Sequence, residues 1–243
     1  MNSRAAILAR IARQVGRLPS HARADDAASA DRNVDVVDVH SSQKNQADGL
    51  RPVEASAHGS TLLSPEEADA CITRFTALAA ATQMTVARVA APDAVPAAVL
   101  EYLRAGAMAP GIVIDPTLRV DTAQWDRAGL SWTCGDTRAD GDVYVSAGLA
   151  AIAECGAVVL ASGQERALRN DFLARTHIVV VAADRLLPGF ADLWALLRRR
   201  PAGELLPRTF CLITGPSRTA DLGVPAKLGA HGPARVHVLL LGS

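Results

Sequence analysis

AVVLASGQERALRNDFLARTHIVVVA, residues 157–182, decides the fold. Both ends of this stretch, 157–161 and 177–182, are apolar runs of strand length that lack the period-two alternation of a half-exposed strand. Runs of that kind belong to strands covered on both faces. Working outward, strands are predicted at 84–89, 111–115, 209–214 and 236–241, and 125–134 reads as a helical turn followed by a strand. Helices are predicted at 94–104 and 190–200, and residues 142–145 lead into a helix of small residues at 147–154. Another helix starts at Ser64-Pro65-Glu66-Glu67, a capping hydroxyl followed by proline and two acids in the first turn. Strands alternating with helices from residue 64 onward predict a layered α/β domain over 61–243, with a mostly parallel sheet and flanking helices.

The first sixty residues read differently. Ile7, Leu8, Ile11 and Val15 recur at helical spacing, opposite Arg4, Arg10, Arg13 and Arg17, which predicts an amphipathic helix over 1–16. That pattern lacks the continuous apolar core of a signal peptide. Residues 17–60 are polar and broken by Pro, Gly and Ser, as in a linker with too little apolar surface to pack.

Composition narrows the function. Lys plus Arg and Asp plus Glu each number 25, and aromatics are 4%. A neutral chain with few stacking side chains lacks the footprint of a nucleic-acid binder, so no nucleic-acid partner is expected. No run approaches the roughly 20 apolar residues of a membrane span, and the expectation is a cytoplasmic protein. Cys71, Cys134, Cys155 and Cys211 stand far apart with no CxxC pair, so no metal site or cluster held by this chain alone is expected.

Candidate site residues concentrate near the C-terminus, in the polar loop predicted between the strands at 209–214 and 236–241, within ITGPSRTADL (213–222) and KLGAHGP (227–233). Gly215 and Pro216 turn the chain off a strand, where open α/β sheets bind ligands. Ser217 and Thr219 offer hydroxyls, Arg218 a planar fork for carboxylate or phosphate, and Asp221 a group to orient it; in the plain alternative Ser217 and Asp221 only cap a surface turn. Lys227 adds a cation, and Gly229 and Gly232 frame His231, a candidate acid–base or anion-binding group whose plain alternative is a loop imidazole bound to backbone. Glu154, beside Cys155 at the end of the predicted 147–154 helix, where acidic charge is mildly unfavourable, is a candidate base, nucleophile or ligand anchor; its alternative is an ordinary helix-end residue. His237, inside the final strand, reads as structural.

ITGPSRTADL, LGAHGP (228–233), the terminal VHVLLLG and AIAECGAVVLAS (151–162) together resemble the LUD-domain family, its lactate-utilisation branch in particular. The resemblance covers roughly 64–243. It implies a fold similar to the sugar-phosphate isomerase and CoA-transferase-like proteins. It also implies an accessory place in a system oxidising L-lactate to pyruvate, with iron–sulfur clusters carried by cysteine-rich and iron–sulfur partner subunits. A small carboxylate or other anion is the implied ligand. Two alternatives remain at this stage: a transferase or isomerase acting on an acyl or phosphorylated substrate through Glu154, and a non-catalytic scaffold. Relatives of this type carry Glu-Thr-Gly-Thr where this chain has Glu154-Cys155-Gly156-Ala157, so two hydroxyls are missing here.

Overall fold

The computed structural model describes residues 63–137, 142–163, 166–199, 206–221 and 224–242. The expected helix over 1–16 and linker over 17–60 lie outside them. Five helices are described: α1 (Pro65–Ala81), α2 (Val95–Ala105), α3 (Thr122–Arg127), α4 (Arg169–Leu173) and α5 (Phe190–Arg198). The strands are β1 (Thr85–Val89), β2 (Gly111–Ile114), β3 (Ser131–Cys134), β4 (Val143–Ala147), β5 (Ala150–Ile152) and β6 (Ala157–Ala161). They continue with β7 (Thr176–Ala182), β8 (Leu186–Leu187), β9 (Phe210–Ile213), β10 (Arg218–Asp221), β11 (Val224–Leu228) and β12 (Arg235–Leu241). Helix α1 starts as its sequence predicts: Ser64 Oγ accepts from the Glu67 amide, and the Glu67 carboxylate accepts from the Ser64 amide.

Six strands form a wholly parallel sheet in the order β1-β12-β7-β4-β2-β3. Successive residues of β7 point to opposite faces, and both faces are apolar. Ile178 and Val180 pack with Leu239 against α2 and α3, through Val95, Val99, Leu103 and Trp125. Val179 and Val181 pack with Val236, Val238 and Leu240 against Phe75 and Ala79 of α1 and against Val158 and Leu160 of β6. Each such buried side chain contributes roughly 1.5–3 kcal/mol, which is why the runs at 157–161 and 177–182 carry no polar alternation. A second sheet, β8-β5-β6-β9, lies over the first, and α5 covers its outer face through Leu193 and Leu197.

Two expectations need correction. Residues 147–154 do not form a helix. β4 runs to Ala147, β5 follows, and the chain turns at 153–156. Ala150, Ala151 and Ile152 are fully buried between layers, and that enclosure overrides the helical preference of alanine. Gly156 makes the turn, with φ +64° and the Leu78 Cβ 2.7 Å from where its own Cβ would stand. The segment between β9 and β12 is likewise not an open loop, because β10 and β11 pair as an antiparallel hairpin with a bulge between Thr219 and Asp221.

His237 is structural, as its strand position suggests. Its ring stacks on Tyr102 with centroids 4.0 Å apart, and Nδ1 lies 2.7 Å from the Thr85 hydroxyl. Burial pushes its pKa down from 6.5 to about 4. Between those values the unfolded chain binds the extra proton, so stability rises with pH through this window and is fully present above it. The contribution is about 3 kcal/mol. His237→Phe keeps the stack and removes the titration. Urea unfolding at pH 7 and at pH 4 is expected to show a loss about 3 kcal/mol smaller in the variant than in the wild type. Equal losses in both would refute this assignment.

Candidate functional site

The glycine-rich C-terminal segments do come together, through main-chain contacts. The Ser217 amide donates to the Pro233 carbonyl at 2.8 Å and its carbonyl accepts from the Gly229 amide at 2.9 Å. Gly232 sits close enough to Ser217 that an added Cβ would approach the serine Cβ to 3.2 Å. Gly215 (φ +150°) runs against the C-terminal end of α1, where a Cβ would come within 2.7 Å of the Thr82 carbonyl oxygen. Arg218 donates to that same carbonyl at 3.2 Å. Thr219 pairs with Lys227, and Asp221 with Val224, across the β10–β11 hairpin. Lys227 and His231 are exposed.

Glu154 stands elsewhere. Its carboxylate accepts from the Phe190 amide at 3.3 Å, at the N-terminus of α5, and its carbonyl accepts from Arg74 at 3.4 Å. The acid that looks misplaced at a helix end in the sequence therefore complements the start of another helix. Among the described residues no hydrogen bond or ion pair links Glu154, Arg218, Lys227 and His231.

A different set of polar side chains converges at the carboxyl ends of β2, β3 and β4. The parallel sheet reverses its winding here: β3 extends outward from β2, and β4 returns to β2's other side. Such switch points open the crevices where α/β sheets hold ligands. Asp115 follows β2, Asp136 and Thr137 follow β3, and Ser146 is the next-to-last residue of β4. Arg166, Asn170 and Asp171 reach over them from the segment before β7, and His177 joins from β7 itself.

Arg166 is the hub. Its Nε lies 3.3 Å from Asp115 Oδ2, its Nη2 donates to both oxygens of Asp171 at 2.9 and 3.1 Å, and its Nη1 donates to the Ala147 carbonyl. The same Nη2 reaches Ser146 Oγ at 3.3 Å. Asp115 is held further by Tyr144, whose hydroxyl donates to Oδ2 at 2.9 Å, and by the Thr117 amide and hydroxyl at 2.7 and 2.6 Å. Ser146 donates to Asp171 at 3.0 Å, and His177 Nε2 lies 2.8 Å from Ser146 Oγ and 3.0 Å from Asp171. Side-chain exposure is 6% for Arg166 and 0% for both aspartates, so the ions interact with little solvent screening.

Burial pushes the Asp171 carboxyl up, but His177 and Arg166 together outweigh it and hold it below its ordinary value. Tyr144 is raised, first by burial and then by the charge of Asp115, which keeps it a hydrogen-bond donor. Next to this sealed cluster in the chain lies an exposed pair, while Asn170 and Thr137 between them are buried. Arg169 pairs there with Asp136 at side-chain exposures of 63% and 58%. Asn170 donates to Asp136 at 3.2 Å, and Thr137 contacts Asn170 at 3.5 Å. An exposed ion pair is weak, so an incoming carboxylate can take the place of Asp136 on Arg169 at small cost.

Sequence reading missed this cluster. The available signals were an acid closing the apolar strand GIVID (111–115), a serine ending VYVS (143–146) and a histidine opening the run at 177.

Comparison with known proteins agrees with the motifs. The LUD domain family model matches residues 72–241. Lactate utilization protein C from Geobacillus sp. (strain WCH70) is 29% identical over 127 residues, covering 52% of each chain. Uncharacterized protein YkgG from Escherichia coli (strain K12) is 34% identical over 102 residues, covering 42% of this chain and 43% of its own. The chain spans about half the length, or less, of the curated relatives it matches. A solved structure, a duf162 family protein from Deinococcus radiodurans, matches 74% of this chain at 19% identity with a TM-score of 0.49.

The cluster predicts an asymmetry in stability. Arg166→Met strands two buried carboxylates and is expected to cost about 3–5 kcal/mol in chemical denaturation. Arg218→Met removes one hydrogen bond from an exposed guanidinium and is expected to cost about 1 kcal/mol or less. Comparable losses would show that Arg166 is not a structural hub.

Proposed function

This chain belongs to the LUD domain family, and from that footing we propose that it serves lactate utilisation as an accessory component that binds a small carboxylate. The observation carrying this reading is the set of polar side chains at the carboxyl ends of β2, β3 and β4, where buried Arg166 ion pairs fix the segment that bears the exposed fork of Arg169. A three-carbon hydroxy or keto acid presents a carboxylate for that fork and one further oxygen. The Asn170 amide and the Thr137 hydroxyl are the neighbouring groups of matching chemistry. Arg166, held by its ion pairs with Asp115 and Asp171, positions the segment carrying Arg169 and Asn170.

The conversion of lactate to pyruvate releases two electrons. In this reading they pass to iron–sulfur clusters on cysteine-rich and iron–sulfur partner chains, while this chain holds the acid. Its four cysteines lie at Cys71, Cys134, Cys155 and Cys211, in four different elements or turns.

Two experiments test the proposal. Deleting the gene is expected to impair growth on L-lactate, with wild type restoring it and Arg169→Met restoring it poorly. Calorimetry with L-lactate and with pyruvate is expected to show binding that Arg169→Met weakens at least tenfold without changing the melting temperature. Normal growth on L-lactate after deletion, or binding indifferent to Arg169, would overturn the reading.

A further inference from the structure

The edges of the sheets differ in how they are protected. An open strand edge presents unpaired N–H and C=O groups, and proteins guard such edges with charge, proline or brevity. β1 carries Arg88 and β8 has two residues, while β3 has neither charge nor proline and exposes the small side chains of Ser131, Thr133 and Cys134. The β10–β11 hairpin carries Arg218, Asp221, Pro225 and Lys227. β9 has none of these devices. Its sequence is Phe210-Cys211-Leu212-Ile213, it is the last strand of its sheet, and Leu212 is 43% exposed.

The β6–β9 register shows which groups of β9 face outward. The Ser162 amide donates to the Thr209 carbonyl at 3.0 Å, one step beyond the pairing of Ala161 with Phe210. Antiparallel pairs alternate, so Thr209, Cys211 and Ile213 turn their main-chain groups toward β6. Phe210 and Leu212 therefore turn theirs to the open edge. Among the described residues no strand pairs there.

We propose that β9 is a dimerisation edge whose occupant is β9 of a second copy of this chain, antiparallel about a two-fold axis at Cys211. That register sets Phe210 of each copy opposite Leu212 of the other, satisfying both outward pairs of N–H and C=O groups and covering both exposed leucines. Arg208 then faces Thr214, so no like charges meet. Two four-stranded sheets become one of eight strands, and an interface of this symmetry closes on itself without forming fibres. Leu206, 62% exposed on the approach to β9, adds apolar surface beside the seam.

Light scattering on the full chain at micromolar concentration is expected to give twice the chain mass. Leu212→Lys is expected to give the single mass with an unchanged melting temperature, since this side chain is already half exposed. Hydrogen exchange supplies a reading that needs no variant: the Phe210 and Leu212 amides are expected to slow at least tenfold between dilute and concentrated wild type. A wild type that stays monomeric, whatever else it binds, overturns the proposal, as does a dimer whose mass survives Leu212→Lys or whose Phe210 and Leu212 amides exchange independently of concentration.

Discussion

A guanidinium sealed between two carboxylates governs the architecture around the strand ends of β2, β3 and β4. Arg166 meets Asp115 from the end of β2 and Asp171 from α4, with Ser146, Ala147 and His177 completing the shell. Desolvating three charges is costly, and in general apolar side chains of similar volume would be as stable or more so. What the ions provide is geometry. An arginine that must satisfy an aspartate on each side has one acceptable position, and the chain from 166 to 171 is fixed over the strand ends as a result. The exposed Arg169 and the buried Asn170 inherit that placement.

The layering explains why such a cluster can exist here. Apolar packing on both faces of β7 and β12 makes the middle of the parallel sheet a dry slab, with α2 and α3 on one side and the second sheet on the other. At the β4–β2 side the second sheet gives way to the segment before β7, whose polar groups meet the polar ends of the strands. Core and site are thus two regions of one sheet face, divided by whether the covering element is apolar or charged.

Much of the fold was legible because strands covered on both faces leave a direct trace. The runs at 157–161 and 177–182 say both "strand" and "buried", and α1 announces its start through Ser64, Pro65 and Glu67. The 147–154 stretch misled because alanine-rich sequence favours helix locally while enclosure between layers decides the outcome. The site was far less legible. Asp115, Ser146, Arg166, Asp171 and His177 are scattered over more than sixty positions, and each alone reads as a solvated or capping residue. Only the strand order, with β4 returning beside β2, brings them together. The glycine-rich segments drew attention by composition, yet their convergence is mainly main-chain packing around Ser217 and Pro233. Glu154 drew attention by its odd position, which the start of α5 accounts for.

The placement of the ligand is the central claim, and mapping amide chemical shifts during titration with pyruvate tests it most directly. Shifts concentrated at residues 115–117, 135–137 and 166–171 are the result this account predicts. Shifts confined to residues 215–233, with the strand ends of β2, β3 and β4 silent, would contradict it and return the site to the glycine-rich hairpin.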